Sequence, residues 1–224
     1  MGPPTVSVLL PVYDHGALLG RAIESVLAQG FQGWELWIAN DGSTDDSRAV
    51  AEGYCARFPW IRLLDLPHGG YSTAVNAAAR VAAAPWLALL DADDWYREDH
   101  LEDNLAFLAQ HPEADLLMGR AEVLGDPHVV DLEEPGRMIH LDECAIGGTF
   151  FVRRSAFLAV GGMPAIRFGM DYHLLRALQA AGYQVRKRTA RTYVYDRIRG
   201  GTMSRSAEAR LREGLAPGVP PGRT

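Results

Sequence analysis

Four short apolar runs lie within the first ninety residues, at 5–12 (TVSVLLPV), 34–39 (WELWIA), 60–66 and 86–90, and a helical stretch fills each gap. Consecutive parallel strands need a crossover of a dozen or more residues, whereas antiparallel ones can be joined by a two-residue turn. The gaps hold such crossovers. In the first, Leu19, Ala22, Ile23, Val26 and Leu27 recur at helical spacing before Gly30. The pattern predicts an α/β fold: a parallel sheet, right-handed crossovers and helices on both faces. The run at 86–90 lacks polar alternation, as a strand buried on both faces does, and the run at 5–12 is rich in β-branched residues and closed by Pro11.

In open sheets of this kind, ligands bind beyond the carboxyl ends of the strands. The topology therefore brings Tyr13, Asp41 and residues 91–94 to one edge. The fourth run ends in Asp91-Ala92-Asp93-Asp94-Trp95. One Asp at a strand-to-helix turn is an ordinary cap. Three in four positions exceed what a cap needs. Oxygen ligands two apart on a strand end can converge on Mg2+ or Mn2+ and, through it, on a diphosphate.

Past residue 98 the pattern loosens. A helix carries Leu101, Leu105 and Leu108 up to Pro112, and one strand is expected over 115–124. Residues 125–140 read as an irregular excursion or an edge hairpin. A strand at 147–152, a short helix at 155–160 and a helix at 171–181 follow, then extended segments at 183–187 and 192–195. The basic, Gly-rich stretch 197–204 resembles a loop, and 214–224 is too poor in apolar residues to fold.

The chain has 224 residues, and its formal charge of −6 argues against a nucleic-acid surface. No apolar run approaches the roughly 20 residues of a membrane span. Cys55 and Cys144 stand alone and residues 1–5 are no secretory signal, which together favour a reduced, cytoplasmic setting, with room for attachment to a membrane face through a partner.

Several further residues invite a functional reading beside a bland one. Asp41, in Asn-Asp-Gly-Ser-Thr-Asp, could accept from a base N–H or a ribose hydroxyl, while Ser43, Thr44 and Asp45 suit turns and caps. A calcium loop is excluded, because Asp46 stands where Gly is required. Gly69-Gly70 could let backbone approach a phosphate, or simply turn the chain; no Gly-Lys-Ser/Thr follows. Asn76 lies on the helix facing the cleft. Asp171 suits a first helical turn, or a carboxylate that takes a proton from a hydroxyl. Arg197 and Arg199 could cover a diphosphate or be an ordinary solvated loop. GxSxG, HExxH and zinc-type cysteine sets are missing.

Taken in order, residues 6–13 (VSVLLPVY), 22–29 (AIESVLAQ), 40–45 (NDGSTD), 90–94 (LDADD), 147–154 and 161–163 with 171–174 (DYHL) resemble glycosyltransferase family 2 over about residues 5–205. The resemblance implies a GT-A fold, with a Rossmann-like, mostly parallel central sheet and a smaller mixed acceptor-side half. It implies residues 1–97 as a nucleotide-sugar half, 98–205 as the acceptor and catalytic-base half of the same domain, and 206–224 as a helix remnant and tail. The implied reaction is inverting transfer of a sugar from a nucleotide diphosphate, UDP favoured, to a hydroxyl of a carbohydrate or small-molecule acceptor. Pro11, Val12, Tyr13, Asp41, Gly70, Asn76, Asp91, Ala92, Asp93 and Arg199 would hold the nucleotide sugar. Asp93 and Asp91 would ligate Mn2+ or Mg2+, and Asp171 would be the base. The chain departs from the pattern at Val75 (usually Arg), Met170 (usually Glu) and Arg199 (usually His). A sugar nucleotidyltransferase and a non-catalytic nucleotide-sugar binder are the alternative readings.

Overall fold

The computed structural model describes residues 2–131, 133–134, 137–166 and 168–199. Of the loop expected over 197–204 only 197–199 are among the described residues, and the helix remnant and tail expected over 206–224 lie outside them. The first half alternates as the periodicity demands: β1 (Val6–Val12), α1 (Gly16–Leu27), β2 (Trp34–Asp41), α2 (Ser47–Arg57), β3 (Ile61–Leu66), α3 (Tyr71–Val81) and β4 (Trp86–Leu89). The second half adds β5 (Trp95–Tyr96), α4 (His100–Gln110), β6 (Leu116–Met118), β7 (Ala121–Leu124), β8 (His128–Val130) and β9 (Met138–His140). It ends with β10 (Phe150–Arg153), α5 (Arg154–Ala159), α6 (Met170–Ala180), β11 (Val185–Lys187) and β12 (Tyr193–Asp196).

Seven of the described strands form the central sheet, in the order β11-β6-β10-β4-β1-β2-β3. Pairing is parallel except at β10, which runs antiparallel to both β4 and β6. Every residue of β1 is buried, since the strand lies mid-sheet between two helical layers. Its even residues Val6, Val8 and Leu10 pack with Leu19, Ile23 and Val26 of α1 and with Leu101 of α4. Its odd residue Leu9 packs on the other face with Ala74, Val75 and Ala78 of α3, Phe157 of α5 and Leu174 of α6. The small residues of α3 let that helix lie close against the sheet. A mixed α/β sandwich results.

Two expectations need correction. The strand expected over 115–124 is two strands in two sheets. Leu116–Met118 stays between β10 and β11, whereas Ala121–Leu124 pairs in parallel with β12. At the break Gly119 N–H donates to Thr149 O and Arg120 N–H to Ala190 O, so the backbone changes partners without an unpaired donor. The fourth strand closes at Leu89 rather than Leu90, although Leu90 N–H still donates to Leu9 O at 3.0 Å. Residues 125–140 do contain a hairpin, β8 with β9, which forms its own two-stranded sheet rather than an edge of the central one.

Candidate active site

The loops that leave β1 and β2 hold each other in place. Asp14, with φ of 50°, accepts at Oδ1 from the N–H groups of Thr44 (2.7 Å) and Asp45 (3.3 Å). Ser43 Oγ accepts from Asp14 N–H and Ser47 Oγ from His15 N–H, each at 3.1 Å. Asp45 joins the two helices: its carboxylate accepts from Gly16 N–H, which opens α1, and from Ser47 N–H, which opens α2, both at 2.9 Å. Burial alone would raise the Asp45 carboxyl, but these hydrogen bonds outweigh it and hold the group below the usual carboxylate range. The NDGSTD stretch thus mostly builds the frame, and leaves Tyr13 and Asp41 aimed at the cleft.

Asp41 ends β2 and is 2% exposed. Gly69 N–H donates to its Oδ1 at 2.7 Å and Gly70 N–H to its Oδ2 at 2.9 Å. The Gly-Gly turn therefore spends its N–H groups on a carboxylate of the protein. Gly70 has φ of 88°, a conformation an L side chain would strain. His68 Nδ1 lies 2.9 Å from Asp41 Oδ2, and its ring stacks on Tyr13 with centroids 4.2 Å apart.

The acidic turn after β4 divides its labour. Asp94 is fully buried and accepts from Asp196 N–H at 2.8 Å and from the Tyr193 hydroxyl. It fastens β12 beneath the turn. Arg21 of α1 seals the turn from the side: its guanidinium donates to Asp93 O and to Asp196 (3.0 Å) and lies over the Trp95 ring. Asp91 faces the cleft and accepts from the Tyr71 hydroxyl at 2.9 Å, with the Tyr193 hydroxyl 3.5 Å from its second oxygen. Desolvation and the neighbouring Asp93 charge push the Asp91 carboxyl up to about 7; the two tyrosine hydroxyls oppose that rise.

Across the cleft, Asp171 sits in the first turn of α6. Its carboxylate accepts from its neighbour Tyr172 N–H at 2.9 Å and from Gly147 N–H at 3.2 Å. Burial raises its carboxyl despite those donors. The hairpin β8–β9 supplies Val129, Asp131 and Ile139 to the same wall, and the Tyr172 hydroxyl donates to Glu133 beside the hairpin. Tyr13, Asp41, Asp91, Asp93 and Asp171 thus line one cavity of about 820 Å3.

Pro11, Val12, Gly70, Ala92 and Met170 line that cavity too. Asn76 does not. Its side-chain amide donates to Met163 O and accepts from Met163 N–H, both at 2.8 Å, and so fixes the 161–163 turn against α3. Arg199 borders a separate hollow with Arg21, Trp95 and Asp196, and its backbone N–H donates to Asp196. Val75 is wholly buried in the core behind α3.

A family model, Glycosyl transferase family 2, matches residues 7–174. The chain belongs to that family. Among curated relatives, the chondroitin synthase of Pasteurella multocida (strain Pm70) is 34% identical over 99 residues, which are 44% of this chain and 10% of that protein. The crystal structure of S. aureus TarS 1-349 in complex with UDP-GlcNAc shares the fold at a TM-score of 0.72 and 19% identity, over 89% of this chain and 60% of that one. The mannosyltransferase PcManGT from Pyrobaculum calidifontis, in complex with GDP-Man and Mn2+, superposes at 0.73 with 17% identity, over 98% and 66%. The chain spans less than two thirds of the length of each of these proteins.

For a family 2 chain the donor set after β4 suits a hard cation, since Asp91 and Asp93 offer only oxygen. Among the described residues no group of three or more His, Cys, Asp or Glu side chains is placed to hold a metal ion. Asp91 and Asp93 would hold such an ion, and it would supply positive charge there. Sequence reasoning missed His68, Tyr71, Tyr193 and Arg21. Tyr71 opens α3 and Tyr193 lies about a hundred positions from the acidic turn, so no local pattern tied either to Asp91. No described helix is long and apolar enough to cross a membrane.

Proposed function

We propose that this chain transfers a sugar, with inversion, from a nucleotide diphosphate to an acceptor hydroxyl. The observation that carries this is one cavity lined by Tyr13, Asp41, Asp91, Asp93 and Asp171 together. Tyr13 would stack on the base and Asp41 accept a base or ribose donor, with UDP favoured. Pro11, Val12, Gly70 and Ala92 would shape the nucleotide pocket. Asp93, with Asp91, would hold Mn2+ or Mg2+, and the cation would supply positive charge beside the leaving diphosphate.

Asp171 would take the acceptor proton. Its carboxyl is raised by burial, which makes the carboxylate a better base than a solvated one. Gly147 N–H fixes one oxygen and Tyr172 N–H the other, so the group is oriented before the acceptor arrives. The Tyr71 hydroxyl donates to Asp91 and favours its ionised form, the form a cation would need. A single displacement on the face opposite the diphosphate inverts the anomeric centre. Acceptors would reach Asp171 along the wall built by Val129, Ile139, Leu141 and Ile146.

The test is a thermal-shift screen of UDP, GDP, dTDP and CDP, with and without Mn2+, on wild type and Asp93→Ala, followed by donor turnover with Asp171→Asn. A metal-dependent shift for one nucleotide, lost in Asp93→Ala, supports the donor site. Turnover that falls at least about a hundredfold in Asp171→Asn, with nucleotide binding kept, supports the base. No shift with any nucleotide would remove the reading.

A further inference from the structure

We propose that His68 is a built-in substitute for the nucleobase, which fills the base's place in the free protein and must swing out when the donor binds. This rests on the reading of Tyr13 and Asp41 as base-holding residues. A nucleobase in such a pocket needs a ring to stack on and an acceptor for a ring N–H. The His68 imidazole takes both. Its ring lies on Tyr13 with centroids 4.2 Å apart and planes inclined by 30°. Its Nδ1 lies 2.9 Å from Asp41 Oδ2 and 3.0 Å from Asp41 O. Both of those atoms are acceptors, so Nδ1 carries the proton and donates, as the ring N–H of a base would.

Two rings at 4.2 Å leave no slot for a third between them. A base that uses this face of Tyr13 and this oxygen of Asp41 therefore competes with the imidazole. The two sides of the contact differ in how firmly they are held. Asp41 is buried and pinned by Gly69 N–H and Gly70 N–H, so the carboxylate keeps its position whatever His68 does. The His68 side chain is 57% exposed, in the turn between β3 and α3. It can rotate into solvent while Asp41 and Tyr13 wait in place. The displaced contact is a fixed cost of nucleotide entry, and the apparent affinity falls by the fraction of molecules in which the imidazole is out.

Calorimetric titration with UDP and with GDP, each with Mn2+, tests this on wild type, His68→Ala and His68→Asn. His68→Ala should bind the preferred nucleotide about fivefold more tightly or better. His68→Asn, which keeps a donor for Asp41 but loses the ring, should fall between the two. In wild type, the nuclear Overhauser contact between the His68 and Tyr13 rings should vanish as UDP or GDP saturates. Unchanged or weaker binding by folded His68→Ala would overturn the proposal, as would a ring contact that persists at saturation. Binding of neither nucleotide by wild type and both variants would instead remove the donor reading beneath it.

Discussion

The Tyr71 hydroxyl donates to Asp91 Oδ1 at 2.9 Å, and so ties the first turn of α3 to the acidic turn after β4. The bond favours the ionised form of a carboxyl that its surroundings push toward neutrality. In Tyr71→Phe the Asp91 carboxyl should rise further and stay protonated to higher pH. A hydrogen bond to a charged group contributes about 1.5–3 kcal/mol, so Mn2+-dependent nucleotide binding at pH 7 should weaken by roughly tenfold. Raising the pH to about 9 should recover most of the loss. Titrations with UDP and Mn2+ across that range check it; a deficit independent of pH would contradict the assigned role.

Asp91 also sets a pH dependence of stability in the protein without nucleotide or metal. Its folded value of about 7 lies above the unfolded 3.8. Between those values the native state binds the extra proton, so stability falls as pH rises through that window. Asp91→Asn should flatten the fall and melt above wild type at pH 8, although it removes a carboxylate from the cleft. Each kcal/mol moves the melting temperature by about 2–4 °C at this chain length. Melting curves from pH 4 to 8 decide the matter.

His100 acts with the opposite sign. It is buried against Tyr96, with centroids 3.9 Å apart, and its Nδ1 meets Thr192 Oγ1 at 2.8 Å. Burial, helped by the Arg188 charge, lowers its value from 6.5 to about 3. The unfolded chain therefore binds the proton first as pH falls below 6.5, and stability is lost progressively down to about pH 3. His100→Gln should be less stable at neutral pH yet lose less on acidification. Urea denaturation at pH 7 and pH 4.5 measures both.

Gly148 marks the tightest packing near the acidic turn. A Cβ there would lie 2.1 Å from the Tyr193 ring, which is 1% exposed and has nowhere to retreat. Gly148→Ala should cost about 1–3 kcal/mol through overpacking. It should also shift the Tyr193 hydroxyl from Asp94 and Asp91. A stable variant with unchanged Mn2+-dependent nucleotide affinity would contradict that coupling.

The layered α/β plan and the acidic edge were legible in the chain before folding. Both are local signals: strand length, helical spacing and the Asp-Ala-Asp-Asp run are written in neighbouring residues. Which groups serve those residues depends on contacts made only in the folded chain. Asn76 was read toward the cleft, yet its amide is used by the Met163 backbone, 87 positions away. Arg199, read toward the diphosphate, borders another hollow. Gly119 interrupts the run at 115–124, but a glycine in a strand fits a simple bulge as well as a break; β10, β11 and β12 divide the run by offering its halves different partners. His68 and Tyr71 reach Asp41 and Asp91 because parallel strand order puts the loops after β2, β3 and β4 at one edge of the central sheet, and Tyr193 reaches Asp91 from β12, in the separate three-stranded sheet. A hydrogen bond depends on position in space to a few tenths of an ångström. Periodicity along the chain fixes elements, not the distances between them.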